Sequence, residues 1–159
     1  MREQLVAWAG DCRVHGEIDM GEGRLSDRVN EAEILTFFDA TLEALNDGHT
    51  VRLDEVEVER RDLLLIDVCG HRGDPARRNR TIADRVRLEV GPFVVTGGLH
   101  RSPVCHPLSP LAGLARFVPI TDAEVVTVDG ESGPRRHEVV LVNREWIGHS
   151  EQLDDPLLH

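Results

Sequence analysis

A pattern of spacing that occurs twice constrains this chain more than any single motif. Gly16-Glu-Ile-Asp-Met-Gly-Glu-Gly23 is followed by Phe37-Phe-Asp-Ala-Thr41 and then by the apolar run Leu63-Leu-Leu-Ile-Asp67. Gly91-Pro-Phe-Val-Val-Thr-Gly-Gly98 is followed by Phe117-Val-Pro-Ile-Thr-Asp122 and then by Val139-Val-Leu-Val-Asn143. Arg60-Arg61 and Arg135-Arg136 stand shortly before the two closing runs. A tandem unit of about seventy-five residues accounts for this order. The expected division is a first β-unit over 1–69, an Arg-rich linker over 70–81, a second β-unit over 82–148 and a flexible tail over 149–159.

Within each unit the apolar residues recur mostly at the period of a strand. Cys12, Val14, Gly16, Ile18 and Met20 alternate with Arg13, His15, Glu17 and Asp19, which predicts a strand with one face buried. Leu5 to Trp8 predicts a short first strand, and Ser26 sits where it would cap a short helical turn over Asp27 to Asn30. Ile34, Phe37, Phe38, Leu42 and Leu45 fit one face of a helix, so a short helix is expected there. Val51, Leu53, Val56 and Val58 predict a strand whose phase breaks near Glu55, and Leu63 to Val68 reads as a buried strand. In the second unit, Val86, Leu88 and Val90 alternate with Arg85, Arg87 and Glu89. Pro103, Pro107 and Pro110 forbid a long helix, and Phe117 to Thr121, Glu124 to Val128 and Glu138 to Asn143 read as strands. Strands this short predict a mainly β fold: two small β-barrel or meander units in pseudo-two-fold relation, with one short helix.

Composition narrows the function classes. No apolar run approaches the roughly 20 residues of a membrane-spanning helix, and Met-Arg-Glu-Gln does not open a signal peptide. A cytoplasmic location is expected. Cys12, Cys69 and Cys105 lack the spacing of a disulfide framework and read as reduced thiols. The net charge of −11 opposes non-specific attraction to nucleic acid or anionic lipid. All 18 basic residues other than histidine are arginines, a pattern that base composition explains, so isolated arginines carry little signal.

Three sets of residues are candidates for chemistry. Cys69, His71, Cys105 and His106 would satisfy tetrahedral zinc if the two units brought them together, whereas Cys12 and His15, three apart in a strand, point to opposite faces. Arg72, Arg77, Arg78, Arg80, Arg85 and Arg87 form the one local basic concentration, and Arg77, Arg78, Arg80 and Arg85 are the candidate grip for a phosphorylated small molecule. Trp8 and Trp146 are candidate interface anchors, with closure of the fold where the termini meet as the plainer role. Catalytic signatures are thin. Gly21-Glu-Gly23 lacks the third glycine of a dinucleotide fingerprint, and His137-Glu138 lacks the second histidine of a metalloprotease motif. No catalytic residue is nominated.

Gly16-Glu-Ile18 followed by Gly-Arg-Leu-Ser-Asp-Arg-Val-Asn30, together with Phe-Val-Pro-Ile-Thr-Asp-Ala-Glu-Val125 leading to Leu-Val-Asn-Arg-Glu-Trp-Ile147, resembles a family of small bacterial β-domains of uncharacterised role. Members look like a single unit reading Gly-x-Ile, Arg-Leu-Ser-Asp-x-Leu-Asn, Phe-Leu-Pro-Leu-Thr-Asp and then a strand ending Val-Asn-Lys. Here the halves of that pattern are divided between the two copies, and Arg101-Ser-Pro-Val104 replaces the Ser-Asp segment in the second. The resemblance implies a β-fold and no chemistry. The arginine-rich stretch is similar to the entry of cyclic-dinucleotide-binding domains of the PilZ type, but the companion Asp-x-Ser-x-x-Gly spacing is missing.

The leading expectation is a non-enzymatic cytoplasmic adaptor or assembly module that binds protein partners, or a second copy of itself, through β-edges and loops. A sensor of a phosphorylated small molecule or nucleotide is the second reading, and a small zinc-binding protein is the third. No cofactor is otherwise expected, and neither nucleic acid nor membrane is an expected partner.

Overall fold

The computed structural model describes residues 2–21, 25–67, 82–113, 115–128 and 135–153. The first half supplies β1 (Arg2–Ala9), β2 (Cys12–Asp19), α1 (Leu25–Glu31), β3 (Ile34–Ala44), β4 (Thr50–Glu59) and β5 (Leu63–Asp67). The second supplies β6 (Ile82–Val90), β7 (Phe93–Arg101), β8 (Phe117–Thr127), β9 (Arg135–Asn143) and β10 (Ile147–Gln152). The mainly β expectation holds, but the strands do not close into barrels. They form one open ten-stranded sheet in the order β10-β6-β7-β8-β9-β5-β1-β2-β3-β4. Every neighbouring pair is antiparallel.

The order within each half is the same, running β5-β1-β2-β3-β4 and β10-β6-β7-β8-β9. Irregularities coincide as well. The ladder shifts between His15 and Glu17 on β2 and between Thr96 and Gly98 on β7, so two residues of β3 oppose Gly16 and two of β8 oppose Gly97. At these shifts Asp39 and Asp122 adopt positive φ, 50° and 48°. Two of the correspondences expected from spacing are corrected by the topology. Gly16 matches Gly97 in the ladder rather than Gly91, which instead makes the β6–β7 turn at φ 56°. The runs Leu63–Asp67 and Val139–Asn143 are not equivalents but partners, since β5 pairs with β9 through Leu65 with Val142, Ile66 with Leu141 and Asp67 with Val140.

The helix expected over Ile34 to Leu45 is the strand β3. Its buried positions Leu35, Phe37 and Ala40 are spaced two and then three apart, because the left-handed Asp39 flips the phase of the strand. A bulged strand therefore mimics a helical period. The helix lies earlier, at α1, where Leu25 and Val29, one turn apart, are both buried. The prolines after β7 leave only a 3-10 turn over Ser109–Ala112. The tail expected to be flexible from residue 149 is strand β10 as far as Gln152, laid along β6 from Ile147 opposite Val90 to Gln152 opposite Val86. The Arg-rich linker lies outside the described residues.

Two hydrophobic cores result, and each borrows from the other half. Val86, Leu88, Val95, Leu99, Ile120 and Val140 pack with Val6, Trp8, Leu64 and Leu65 from the first half. Leu5, Val14, Ile18, Leu35, Phe37 and Leu63 pack with Phe117 and Leu141 from the second. Residues of β1 and β5 thus serve both cores: on β1 Leu5 and Ala7 alternate with Val6 and Trp8, whereas on β5 the register shift opposite Trp8 and Ala9 puts both Leu64 and Leu65 in one core and Leu63 and Ile66 in the other.

Candidate functional site

The β5–β9 junction carries a part-buried polar constellation. Asp67, at the end of β5, meets His137 on β9, with His137 Nδ1 2.9 Å from Asp67 Oδ2 and both side chains largely buried. Trp8 from β1 packs edge-on against the His137 ring at 5.7 Å. The Arg13 guanidinium lies 5.9 Å from the Trp8 ring centroid and 3.5 Å from the Glu43 carboxylate. A cavity of about 140 Å³ opens beside them, lined by Trp8, Arg13, Glu43, Phe93, Arg135 and His137.

A carboxylate that accepts from Nδ1–H fixes an imidazole tautomer, the arrangement found in acid–base dyads. Here the second nitrogen does not serve that purpose. His137 Nε2 is sealed from solvent and has no hydrogen-bond partner among the described residues. The dyad ties β5 of the first half to β9 of the second. Three further ties support that role. Asn143, fully buried, donates from Nδ2 to the Leu63 carbonyl at 2.8 Å. The Trp146 indole donates to the Arg61 carbonyl at 2.6 Å. Asn30, at the end of α1, accepts from the Phe117 backbone N–H at 2.8 Å.

The structure distributes the sequence-derived candidates widely. Trp8 is 7% exposed and serves the interior interface between halves, whereas Trp146 is 44% exposed beside its tie to Arg61. Cys105 and His106 lie exposed in the loop after β7, where His106 Nδ1 accepts from the Leu108 backbone N–H at 3.2 Å. Cys69 and His71 lie outside the described residues, and among those described no group of three or more His, Cys, Asp or Glu side chains is placed to hold a metal ion. Arg77, Arg78 and Arg80 also lie outside, and Arg85 is an exposed residue of β6 whose carbonyl accepts from the Leu153 N–H. Burial, and then the neighbouring Asp11 carboxylate, push the Cys12 thiol up, which disfavours the thiolate that metal binding or nucleophilic attack requires.

The two ends of the sheet are its open surfaces. Among the described residues β4 pairs only with β3, and β10 only with β6. Val51 and Leu53 on β4 are 44% and 40% exposed, and Leu45, in the turn leading to β4, is 39% exposed. A half-open cleft of about 300 Å³ lies beyond the far end of β4, lined by Glu33, Ile34, Glu59, Arg60, Arg61 and Arg116. Its arginines are already engaged. Arg60 reaches the Val29 and Asn30 carbonyls at the end of α1, Arg61 pairs with Glu59 at 2.7 Å and Arg116 with Glu145 at 3.2 Å.

Sequence reasoning missed the Asp67–His137 lock because its members are far apart in the chain. It registered the Val-Glu-Val-Glu alternation of β4 as a strand, without a signal that this strand would be an edge. No helix of the described residues is long and apolar enough to cross a membrane. Comparison with family models, curated proteins and solved structures finds no match.

Proposed function

We propose that this protein is a non-enzymatic assembly module, acting in the cytoplasm, that binds protein partners through the free edges of its sheet and the loops beside them. The observation that carries this reading is the β4 edge, a ten-residue strand with one side unpaired among the described residues and with exposed apolar residues Val51 and Leu53. An exposed edge presents unpaired backbone N–H and C=O groups, and an added strand satisfies them. Supporting this, β1–β5 and β6–β10 read as two copies of one five-strand unit, and the inner edge of the second copy, β9, is already capped by a strand of the first. The fold therefore carries one worked instance of strand addition. His137 Nε2 is sealed, which favours a structural role for the Asp67–His137 pair.

Site-specific photocrosslinking in the native host tests this. A benzophenone amino acid placed at Val51 or Leu53 should yield discrete protein adducts, and one placed at exposed Arg136, away from either edge, should not. Equal adducts from all three positions, or none from β4, would remove the edge from consideration.

A further inference from the structure

The partner's chemistry can be derived from the same edge. Resting on the assembly reading, we infer that β4 receives, in antiparallel register, an extended segment of another protein in which basic and apolar residues alternate.

The internal junction supplies the geometry. On β8 and β9, Ile120 pairs with Val140, and on β3 and β4 the matching residue Phe37 pairs with Val56. The β9 residues Val140, Leu141 and Val142, which meet β5, therefore correspond to Val56, Glu57 and Val58 on β4. At the junction the strand that covers β9 brings Leu65 and Ile66, and both of its faces are buried. The free edge asks for something different. Val56 and Val58 are half-buried against the first core, while Glu55, Glu57 and Glu59 are exposed on the opposite face. Residues directly opposite each other in an antiparallel pair share a face, so a covering strand meets the two valines with apolar side chains and Glu55 and Glu57 with cations, Glu59 being already paired with Arg61. The four positions opposite Glu55 to Val58 then read basic, apolar, basic, apolar.

Among the described residues, neither edge strand of a second copy meets that demand. The strand corresponding to β5 is β10, whose His149, Ser150 and Glu151 stand where β5 has Leu65, Ile66 and Asp67. Placed on β4 in the junction register, β10 would set Glu151 against Val56 on the core side. Pairing β4 with another β4 would oppose acidic strands, a repulsive arrangement. The carboxylates deter self-association at an edge while leaving it attractive to a basic strand.

The test uses the whole chain and three fluorescein-labelled peptides with a central Arg-Val-Arg-Val-Arg: the parent, a version with Glu in place of each Arg, and a version N-methylated on alternate residues of the ladder-facing edge. By fluorescence anisotropy at low salt, the parent should bind about ten-fold or more tightly than either of the others. The double variant Glu55→Arg/Glu57→Arg should reverse the preference between Arg and Glu peptides, with its thermal melt confirming that these exposed positions leave the fold intact. Equal binding of the N-methylated peptide would reveal charge attraction without strand addition and overturn the inference. So would absence of parent binding, or a concentration-dependent dimer that protects β4 from hydrogen exchange. Photocrosslinks from Val51 or Leu53 that persist without peptide binding would leave the assembly reading standing and defeat this inference alone.

Discussion

Two glycines and two aspartates show how single residues shape this sheet. A Cβ built on Gly97 would lie 2.7 Å from the Thr121 carbonyl oxygen, and one on Gly16 would lie 3.0 Å from the Phe38 carbonyl oxygen. Each faces the bulge at which Asp122 or Asp39 takes positive φ, so the missing side chain lets the backbone of the bulged strand approach. Gly97→Ala is expected to destabilise the protein by about 1–3 kcal/mol, and Gly16→Ala by less, measured as the shift in urea midpoint at unchanged slope. The Gly-x-Ile signal was legible in the sequence. Its ladder partner was not, because the left-handed Asp39 disguises the following strand as a helix, and φ at an aspartate is not written in its identity.

At the scale of elements, strands with one buried face were legible and edge elements were not. The alternation Cys12 to Met20 maps onto β2, and Val86, Leu88 and Val90 map onto β6, because burial of one face imposes a period of two. Residues Gly148 to Gln152 carry no such alternation, yet they form β10, which hydrogen bonds to β6 with little burial to mark it. The short helix α1 is also secured by a non-local contact. Asn30 accepts from the Phe117 N–H and donates to the Phe117 carbonyl at 3.4 Å, completing the start of β8 as a further strand would. Asn30→Ala is expected to cost about 1–3 kcal/mol, since it leaves a part-buried N–H without this acceptor. Asn30→Asp retains an acceptor and should cost less in the same denaturant titration.

For the whole molecule, the shared cores decide how it folds. The first half without the second loses Phe117 and Leu141 from its core, and the second without the first loses Val6, Trp8, Leu64 and Leu65. Separately expressed fragments 1–69 and 82–159 are therefore expected to lack cooperative melts. Mixed or co-expressed, they should restore a single transition by circular dichroism. Two independent melts would mean that each core is sufficient alone. The sequence announced two halves of similar spacing, but it could not announce which strand would border which. The closing apolar runs resemble each other because they face each other and are buried together, and resemblance of that kind looks like equivalence when only spacing is available.

The strand order also fixes how the chain bears load. β1 is held between β5 and β2, whereas among the described residues β10 borders β6 alone and lends the second core only the half-buried Ile147. Tension applied between the ends of the chain meets unequal resistance. β10 can peel from the rim one pair at a time, while β1 must shear against two neighbours at once. Stretching is taken up at the outer strand before either core is forced open.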